Sequence, residues 1–430
     1  MKPSKLQILY WFLRLRISRL TYHNKVSAAF IRYWKQTLAA SPFYRKLVAQ
    51  HSDFPTMNKQ TFMEHFDEIN TVSIRKADAF AVALKSEESR DFSPMINGIS
   101  IGLSSGTSGN KGIFLTSATE QAVWVGAVLD RVLGWSFRKR RVAFFLRANN
   151  NLYESVKSGL IQFHFFDILQ PMDGLVQELI KADVHILVAQ PSVLFEIARR
   201  FQSSGHQAHF TKVVSVAEVL EDDQKLYFQR IFGCRIDQVY QCTEGFLAHT
   251  CKAGSLHFNE DWLTIDKHYL DDHKVRFHPI ITDHLRRSQP VVRYELNDII
   301  HEGKPCSCGS KMSTIAKIEG RSDDVFRFDT PYGEKIVFPD FVRRAVIKSS
   351  DLIQNYQVTL VGRYLLKVSL IVSDMEALQL TFALVQERLN SLFESFEIPG
   401  IKIELREWNH DPMKKFKRIS NELTSSTHPK

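Results

Sequence analysis

The stretch VHILVAQPSVLFEIARRF, residues 184–201, decides the fold class. Its first six residues are almost all apolar, which is typical of a strand buried on both faces. Pro191 then opens a segment with apolar residues at helical spacing. The same alternation continues outward, with strand-like runs at residues 142–146, 212–216 and 236–240 and helical patterns at 174–182 and 222–232. Strands alternating with helices predict an α/β fold with a parallel sheet and crossover helices.

The pattern changes toward the end of the chain. Strand-like runs at residues 357–360, 365–372 and 401–405 surround one long helical segment, 375–393. This predicts a small α+β domain of ordinary size. We therefore expect a basic helical segment, 1–52, packing on the body, a large domain with mostly parallel sheets, 53–322, and a small C-terminal domain, 323–430.

The composition excludes several protein classes. With 430 residues, 44% hydrophobic and 24% charged, the chain is neither disordered nor collagen-like. Five cysteines are too few for a secreted disulfide scaffold and leave one unpaired, which indicates a cytoplasmic protein.

The net charge of +9 is concentrated at one end. Residues 1–52 hold ten of the 56 lysines and arginines and none of the 47 acids. Within them LQILYWFLRLRISRL, residues 6–20, predicts an amphipathic helix, with an apolar run far shorter than the ~20 residues of a membrane span. Docking of Trp11, Phe12 and Leu13 on the body and peripheral contact with a membrane both remain open. A nucleic acid partner is not expected, because the rest of the chain is nearly neutral.

The most specific local feature is SSGTSGNKG, residues 104–112, between strand-like segments at 99–103 and 113–116. Glycines let a backbone approach an anion closely, and the hydroxyls and Lys111 can donate to it. A phosphate-binding loop and a flexible hairpin turn are equally compatible with this segment alone.

Three further segments follow in order: YQCTE at 240–244, PVVRY at 290–294 with Asp298, and EGRSDD at 319–324. Glu218 and residues 240–244 come directly after predicted strands, at the edge of a parallel sheet where ligands bind. Taken singly, Glu244, Asp298 and Arg321 would be read as surface ion pairs or caps.

In this order and at these separations the four segments resemble the signature set of the adenylate-forming (ANL) enzymes. The chain is most similar to the branch that holds phenylacetate–coenzyme A ligase and the deazaflavin-adenylating synthetases. The resemblance implies a large domain followed by a small mobile domain. It also implies that ATP activates a carboxylic acid as an acyl-adenylate, with release of pyrophosphate, before the acyl group passes to a thiol.

The resemblance also implies roles for individual residues. The β- and γ-phosphates would be held by Ser104, Ser105, Gly106, Thr107, Ser108, Gly109 and Lys111. Tyr240 would stack on adenine, Thr243 would contact the α-phosphate and Glu244 would hold magnesium, a cation that prefers carboxylate oxygen. Glu218 is a further candidate for the nucleotide site.

Other roles fall on the end of the chain. Asp298 would accept hydrogen bonds from the ribose hydroxyls, Arg321 would meet phosphate, and Asp323 would be the hinge of the small domain. The segment MKKFKR, residues 413–418, resembles the pattern that carries the catalytic lysine, which makes Lys415 that residue and Lys417 the fallback.

Two departures from the family pattern affect these expectations. Gln241 stands where glycine is usual, and residues 325–337 lack the usual continuation after Asp324. That continuation helps relatives accept a thiol, so adenylation is predicted more directly than transfer to coenzyme A.

Cys251, His257, Cys306 and Cys308 form a second constellation. Three thiolates and one imidazole make a closed tetrahedral zinc set, and some members of the branch carry structural zinc at matching positions. The alternative is ordinary buried thiols and an unrelated histidine.

We therefore predict an enzyme that uses MgATP to adenylate a small, aromatic carboxylic acid. The acceptor would be coenzyme A or the thiol of an acyl carrier protein, whose acidic surface would suit the basic segment. Two alternatives are an adenylyltransferase that places AMP on a non-thiol acceptor and a non-catalytic, zinc-stabilised binding protein on the same fold.

Overall fold

A computed structural model describes residues 3–89, 91, 93–103, 112–134, 138–146, 161–321, 324–331, 333–409 and 416–423. The chain divides into two compact units. The first holds residues 1–296 and 300–318, and the second holds residues 297–299 and 319–430.

The first unit begins with helices and a small sheet. The helices are α1 (Lys5–Leu20), α2 (Ala28–Ala40), α3 (Pro42–Ala49), α4 (Lys59–Glu64), α5 (Phe66–Ile69) and α6 (Lys76–Ser89). The small antiparallel sheet is formed by β1 (Met95–Ile96), β2 (Ile99–Leu103) and β3 (Ile113–Thr116). Helical structure is interrupted between α4 and α5 at His65, and Asn58 caps α4 by accepting from the Thr61 N–H at 3.0 Å.

The rest of the first unit is built on one large mixed sheet, in which residues 298–299 and 319–321 belong to the second unit. Its strands are β4 (Arg140–Leu146), β5 (Ile161–Asp167), β6 (Ile186–Ala189), β7 (Lys212–Ser215), β8 (Ile236–Cys242), β9 (Gly245–Thr250), β10 (Leu256–Phe258), β11 (Leu263–Tyr269), β12 (Arg276–Asp283), β13 (Tyr294–Glu295), β14 (Asp298–Glu302) and β15 (Thr314–Arg321). Their order is β11-β12-β14-β15-β10-β9-β8-β7-β6-β4-β5, with β13 paired to β12. The accompanying helices are α7 (Ala118–Val128), a π-helical turn (Leu129–Leu133), α8 (Met172–Ala182), α9 (Pro191–Ser204) and α10 (Asp222–Phe232).

The segment β4–β8 confirms the predicted parallel α/β arrangement. In the spatial order β5-β4-β6-β7-β8, each strand pairs in parallel with the next one. All four residues of β6 are buried. Pro191 occupies the first turn of α9, and Gly205 ends that helix in the left-handed conformation. Because β7 and β8 are parallel neighbours, their carboxyl ends lie at the same edge of the sheet.

Helix α1 packs on α7, with Trp11 and Phe12 each 5% exposed. A Cβ atom at Gly126 of α7 would lie 2.8 Å from the Phe12 backbone nitrogen, so this close approach requires glycine. The expectation that Leu13 also docks on the body is wrong: its side chain is 44% exposed, because it lies on the opposite face of the helix. Along the described residues, no helix combines the length and apolar character that crossing a bilayer requires.

The second unit is the α+β unit that the sequence predicts. Its elements are β16 (Phe326–Thr330), β17 (Gly333–Val337), α11 (Pro339–Ile347), β18 (Ile353–Gly362), β19 (Leu365–Val372), α12 (Leu378–Ser395), β20 (Lys402–Leu405) and β21 (Ile419–Asn421). Strands β16 and β17 form a hairpin, and the larger sheet has the order β20-β19-β18-β21. Val385, Leu389 and Phe393 of α12 are buried at four-residue spacing and join the core of this unit.

Candidate active site and metal centre

Thr243 and Glu244 form the tight turn between β8 and β9, at the carboxyl end of β8. The Thr243 hydroxyl donates to the Glu244 carboxylate at 2.9 Å, and both side chains are half-buried. The antiparallel pairing of β8 with β9, which places Cys242 opposite Gly245, holds both ends of the turn in place. A hydroxyl and a carboxylate are thereby held together at the ligand-binding edge of the sheet.

A cleft in the first unit opens beside this turn. It brings the turn together with Gly112, the last residue of the Ser/Gly segment, although more than a hundred residues separate them. Two cationic side chains, Lys59 and Arg286, also line it, together with the apolar side chains of Phe62, Met63, Ile113, Phe114, Val291 and Tyr294. An acid beside a hydroxyl and two cations is a suitable setting for a metal-bound phosphate.

Arg286 and Gln289, which line the cleft, are hydrogen-bonded to the backbone of β3. The Arg286 guanidinium donates to the Thr243 carbonyl and to the Leu115 carbonyl, each at 3.4 Å. The Gln289 amide accepts from the Leu115 N–H at 3.0 Å and donates to the Ile113 carbonyl at 3.2 Å. Neither residue is identified by the sequence analysis. The available signal is that both lie just before the PVVRY segment.

A buried carboxylate fixes the loop that carries Arg286. Glu120 of α7 is 5% exposed and accepts from the Arg287 N–H at 2.8 Å and from the Ser288 N–H at 3.0 Å. It also completes a capping box with Ser117, at the first turn of α7. Glu120 is therefore a positioning residue that sequence reasoning missed.

Asp283, at the end of β12, lies at the base of the same loop. Its carboxylate accepts from the Leu285 N–H at 2.8 Å and from the Arg286 N–H at 3.3 Å. Burial outweighs these hydrogen bonds and raises the pKa of Asp283 to about 6. The loop behind the cleft therefore contains an acid that titrates close to neutral pH.

Two other candidates have structural partners. The Glu218 carboxylate accepts from the N–H and the hydroxyl of Ser192, both at 3.1 Å, in the first turn of α9. Tyr240 is 7% exposed and belongs to the apolar core of the first unit. Tyr240 is thus in the core and does not line the described cleft, so its adenine-stacking role stays a prediction.

The candidates of the second unit form two ion pairs. Arg321 Nε lies 3.3 Å from Asp298 Oδ1, so the residues expected to meet phosphate and ribose are adjacent. Lys417 Nζ lies 2.7 Å from Asp324 Oδ1, whose side chain is 9% exposed. Other candidates lie outside the described residues: Ser104, Ser105, Gly106, Thr107, Ser108, Gly109, Lys111, Asp323 and Lys415.

Cys251, His257, Cys306 and Cys308 lie together in the first unit, with one ligand atom from each within 4.8 Å of the others. Cys251 follows β9, His257 lies on β10, and the other two cysteines lie in the loop between β14 and β15. The hairpin of β9 and β10 and the pairing of β10 with β15 bring these segments side by side.

Hydrogen bonds orient this Cys/His cluster as a ligand set. His257 is 1% exposed and donates from Nδ1 to the Met312 carbonyl at 2.9 Å, which leaves Nε2 as the atom facing Cys308 Sγ at 3.5 Å. Backbone N–H groups of Cys308 and Ser310 point at the Cys306 and Cys308 sulfurs, each at 3.4 Å. The donor set and the fixed imidazole fit zinc, with all four positions supplied by the protein.

The thiols of the cluster differ in acidity. A hydrogen bond from Ser255 lowers the pKa of the Cys306 thiol to about 6, whereas burial raises the pKa of the Cys308 thiol to about 11. The contact between the two sulfurs adds to both shifts, because it favours the thiolate of Cys306 and the thiol of Cys308. A cation bound by these side chains would favour the thiolate at each of them. Among the described residues, His268, His278 and Glu295 are the other group with ligand atoms this close, and there the His268 side chain is 58% exposed.

Comparison with solved structures identifies the architecture. A 2-hydroxyisobutyryl-CoA ligase in its postadenylation state superimposes with a TM-score of 0.64 at 14% identity, over 91% of this chain and 89% of that chain. The same ligase in an open conformation, in complex with 2-HIB-AMP and CoA, gives 0.53 at 14% identity, over 96% and 90%. The chain has the fold of these CoA ligases.

A benzoate CoA ligase from Burkholderia xenovorans LB400 gives a TM-score of 0.50 at 14% identity, over 76% of this chain and 69% of that chain. The amide bond synthetase McbA from Marinactinospora thermotolerans gives 0.50 at 13% identity, over 74% and 67%. No protein-family model matches the chain, and no curated protein sequence matches it. The predicted fold class, an α/β fold with a large domain followed by a small α+β domain, is confirmed. The expectation of mostly parallel strands holds only for β4 to β8, because the hairpin of β8 and β9 reverses the chain and antiparallel pairs follow.

Proposed function

We propose that this protein adenylates a carboxylic acid with MgATP, forming an acyl-adenylate and pyrophosphate. One observation carries the proposal: the cleft that joins the end of the Ser/Gly segment, at Gly112, to the Thr243–Glu244 turn and to two cations. The fold shared with ligases solved as acyl-AMP complexes supports it.

The side chains of the cleft suit adenylation because of the charge that the reaction handles. A carboxylate attacks the α-phosphorus of ATP and pyrophosphate leaves, so two anions must approach and further charge develops on the leaving group. Glu244 would hold the magnesium ion that neutralises phosphate oxygens, and Thr243 would donate to the α-phosphate. Lys59 and Arg286 would add positive charge on fixed elements, which lowers the barrier without reorganisation.

The proposal also assigns roles to three residues of the second unit. Asp298 would bind the ribose hydroxyls, Arg321 would contact phosphate, and Lys415 would neutralise charge at the reacting carboxylate and α-phosphate. The Cys/His cluster would hold a structural zinc ion that fixes the loop between β14 and β15. With four protein ligands it leaves no position for water activation.

We further propose that a thiol accepts the acyl group, from coenzyme A or a carrier protein. The CoA in the open-conformation ligase complex supports this. A non-thiol acceptor is the second candidate, favoured by the altered sequence at residues 325–337 and by the fold shared with an amide bond synthetase. The resemblance to the phenylacetate–coenzyme A ligase branch points to a small aromatic acid.

The test is pyrophosphate release from MgATP across a panel of aryl and fatty acids, with and without coenzyme A. Acid-dependent release supports adenylation, and acceleration by coenzyme A identifies the acceptor. Release that coenzyme A leaves unchanged favours a carrier protein or a non-thiol acceptor. Failure to bind ATP in the presence of magnesium would overturn the proposal in favour of a binding protein on this fold.

A further inference from the structure

Helix α1 is apolar on two opposite faces. Its inner face is buried against the first unit through Ile8, Trp11, Phe12 and Leu15. A second row of apolar side chains lies on the other side, between 44% and 79% exposed. This outer apolar stripe consists of Leu6, Leu9, Tyr10, Leu13, Ile17 and Leu20. Their spacing of three and four residues places all six along one side of the helix.

Contacts of the inner face fix the rotation of α1 about its own axis, so the outer apolar stripe cannot turn toward the first unit. Arg19 donates to both oxygens of Asp130, at 2.9 and 2.8 Å, and the Asp130 side chain is fully buried. Gly126 of α7 is in backbone contact with α1, as described above. A rigidly attached helix therefore presents six apolar side chains outward over its whole length, about 24 Å.

We propose that the outer apolar stripe of α1 lies in the surface of an anionic membrane. Basic side chains border it on both sides: Lys5 next to Leu9 on one side, and Arg14 next to Tyr10 and Ile17 on the other. Arg16, on the same side as Lys5, pairs with the buried Asp130 at 3.5 Å and is not counted. Acids are absent from residues 1–52, so nothing in this segment repels an anionic headgroup. An apolar face with basic flanks is the arrangement of helices that lie in the plane of a bilayer.

A second copy of the chain suits this surface less well. Pairing two outer apolar stripes would bring Lys5 and Arg14 of one copy close to those of the other, without acids in this segment to compensate. The membrane proposal does not depend on the proposed adenylation activity.

Vesicle sedimentation tests the proposal with the full chain. The wild type is expected to bind phosphatidylcholine vesicles that contain phosphatidylglycerol, more weakly at high salt, and to bind pure phosphatidylcholine poorly. The double variant Leu13→Glu, Ile17→Glu is expected to lower the partition coefficient at least tenfold. Lys5→Ala is expected to lower it up to about fivefold, since a basic residue near the surface contributes about that factor.

The control is Leu226→Glu, which places the same charge at a leucine of α10 that is 68% exposed. It should bind vesicles as the wild type does, and circular dichroism and melting temperature should confirm that the variants fold. Equal binding by the wild type and the double variant would overturn the proposal. So would a wild type that ignores anionic vesicles, or a dimer in sedimentation velocity that only the double variant loses.

Discussion

The Arg286 guanidinium lies 3.4 Å from the Thr243 carbonyl oxygen, so a cation is attached to the back of the turn that carries the candidate magnesium ligand, Glu244. The same guanidinium also donates to the Leu115 carbonyl on β3. Strand β3 begins directly after the Ser/Gly segment, residues 104–112. Arg286 therefore connects the two parts of the candidate phosphate site, and it is 14% exposed at the wall of the cleft.

Replacement of Arg286 by alanine is expected to raise KM for ATP about 10- to 100-fold, the effect of losing a charge-assisted hydrogen bond. Arg287→Ala is the matched control. Its side chain is exposed and lies over the Tyr33 ring, 5.1 Å from the centroid. Steady-state kinetics of both variants would check this. Equal effects would show that the loop, rather than the Arg286 charge, controls nucleotide binding.

Lys417 and Lys415 are expected to behave differently when replaced by alanine. Lys417 pairs with Asp324, so Lys417→Ala should lower the free energy of unfolding by about 1–3 kcal/mol and leave adenylation measurable. Lys415→Ala should keep its stability and lose adenylation about 100- to 1,000-fold, since it would remove charge stabilisation at the reacting group.

Denaturant unfolding and pyrophosphate release distinguish these two outcomes. Thiol transfer from a supplied acyl-adenylate should survive in Lys415→Ala, because the lysine is assigned to the first half-reaction alone. The roles would be reversed if Lys417→Ala abolished adenylation at unchanged stability.

If the Cys/His cluster binds zinc, the purified protein is expected to retain one zinc ion per chain after dialysis against a weak chelator. Cys306→Ala is expected to lose that zinc and to melt at lower temperature, because a structural metal stabilises only the folded state. Cys234→Ala and His268→Ala are controls, since Cys234 lies outside the cluster and His268 belongs to the exposed group. Metal analysis that finds zinc unchanged in Cys306→Ala would exclude this site.

Replacement of Asp283 is expected to change the free energy of unfolding by an amount that depends on pH. Its pKa in the folded protein is about 6, above the value near 3.8 for an unfolded chain. Well below pH 3.8 both states hold the proton and the group is neutral in both. Between pH 3.8 and about 6 the unfolded chain loses this proton while the folded protein keeps it, so folding stability falls progressively, by up to about 3 kcal/mol, and this loss is complete above pH 6.

Asp283→Asn should therefore be more stable than the wild type at pH 8, with a difference that shrinks between pH 6 and pH 3.8 and vanishes near pH 3. The amide oxygen can still accept from the Leu285 and Arg286 N–H groups, so the loop is retained. Urea unfolding at several pH values would check it. A difference independent of pH would mean that Asp283 acts through packing alone.

The sequence predicts those features whose signal is local. Residues 186–189 are apolar because both faces of β6 are covered, and Pro191 and Gly205 mark the ends of α9. The cysteines and His257 stand out by their chemistry, and the hairpin of β9 and β10 brings them together. Strand β5 and the antiparallel strands β9 to β15 are not predicted. Strands β10 and β13 are only three and two residues long, and β11 alternates between buried and exposed residues, which is itself the pattern of a half-buried strand.

The unpredicted site residues depend on contacts between distant segments. Glu120 has the pattern of an ordinary helix cap, and only the fold places it against residues 287 and 288. Arg286 is one of two adjacent arginines, and the sequence does not say which one faces the cleft. The outer apolar stripe of α1 is likewise distinguishable only when the buried face of the helix is known.

Direct detection of the acyl-adenylate tests the central claim. The protein is incubated with MgATP and each acid of the panel without an acceptor, and the nucleotide products are identified by mass spectrometry. The account predicts acyl-AMP and pyrophosphate from the wild type, only when a suitable acid is present, and at least 100-fold less from Thr243→Ala and Glu244→Gln. ADP with inorganic phosphate, or AMP formation that does not depend on the acid, would contradict it.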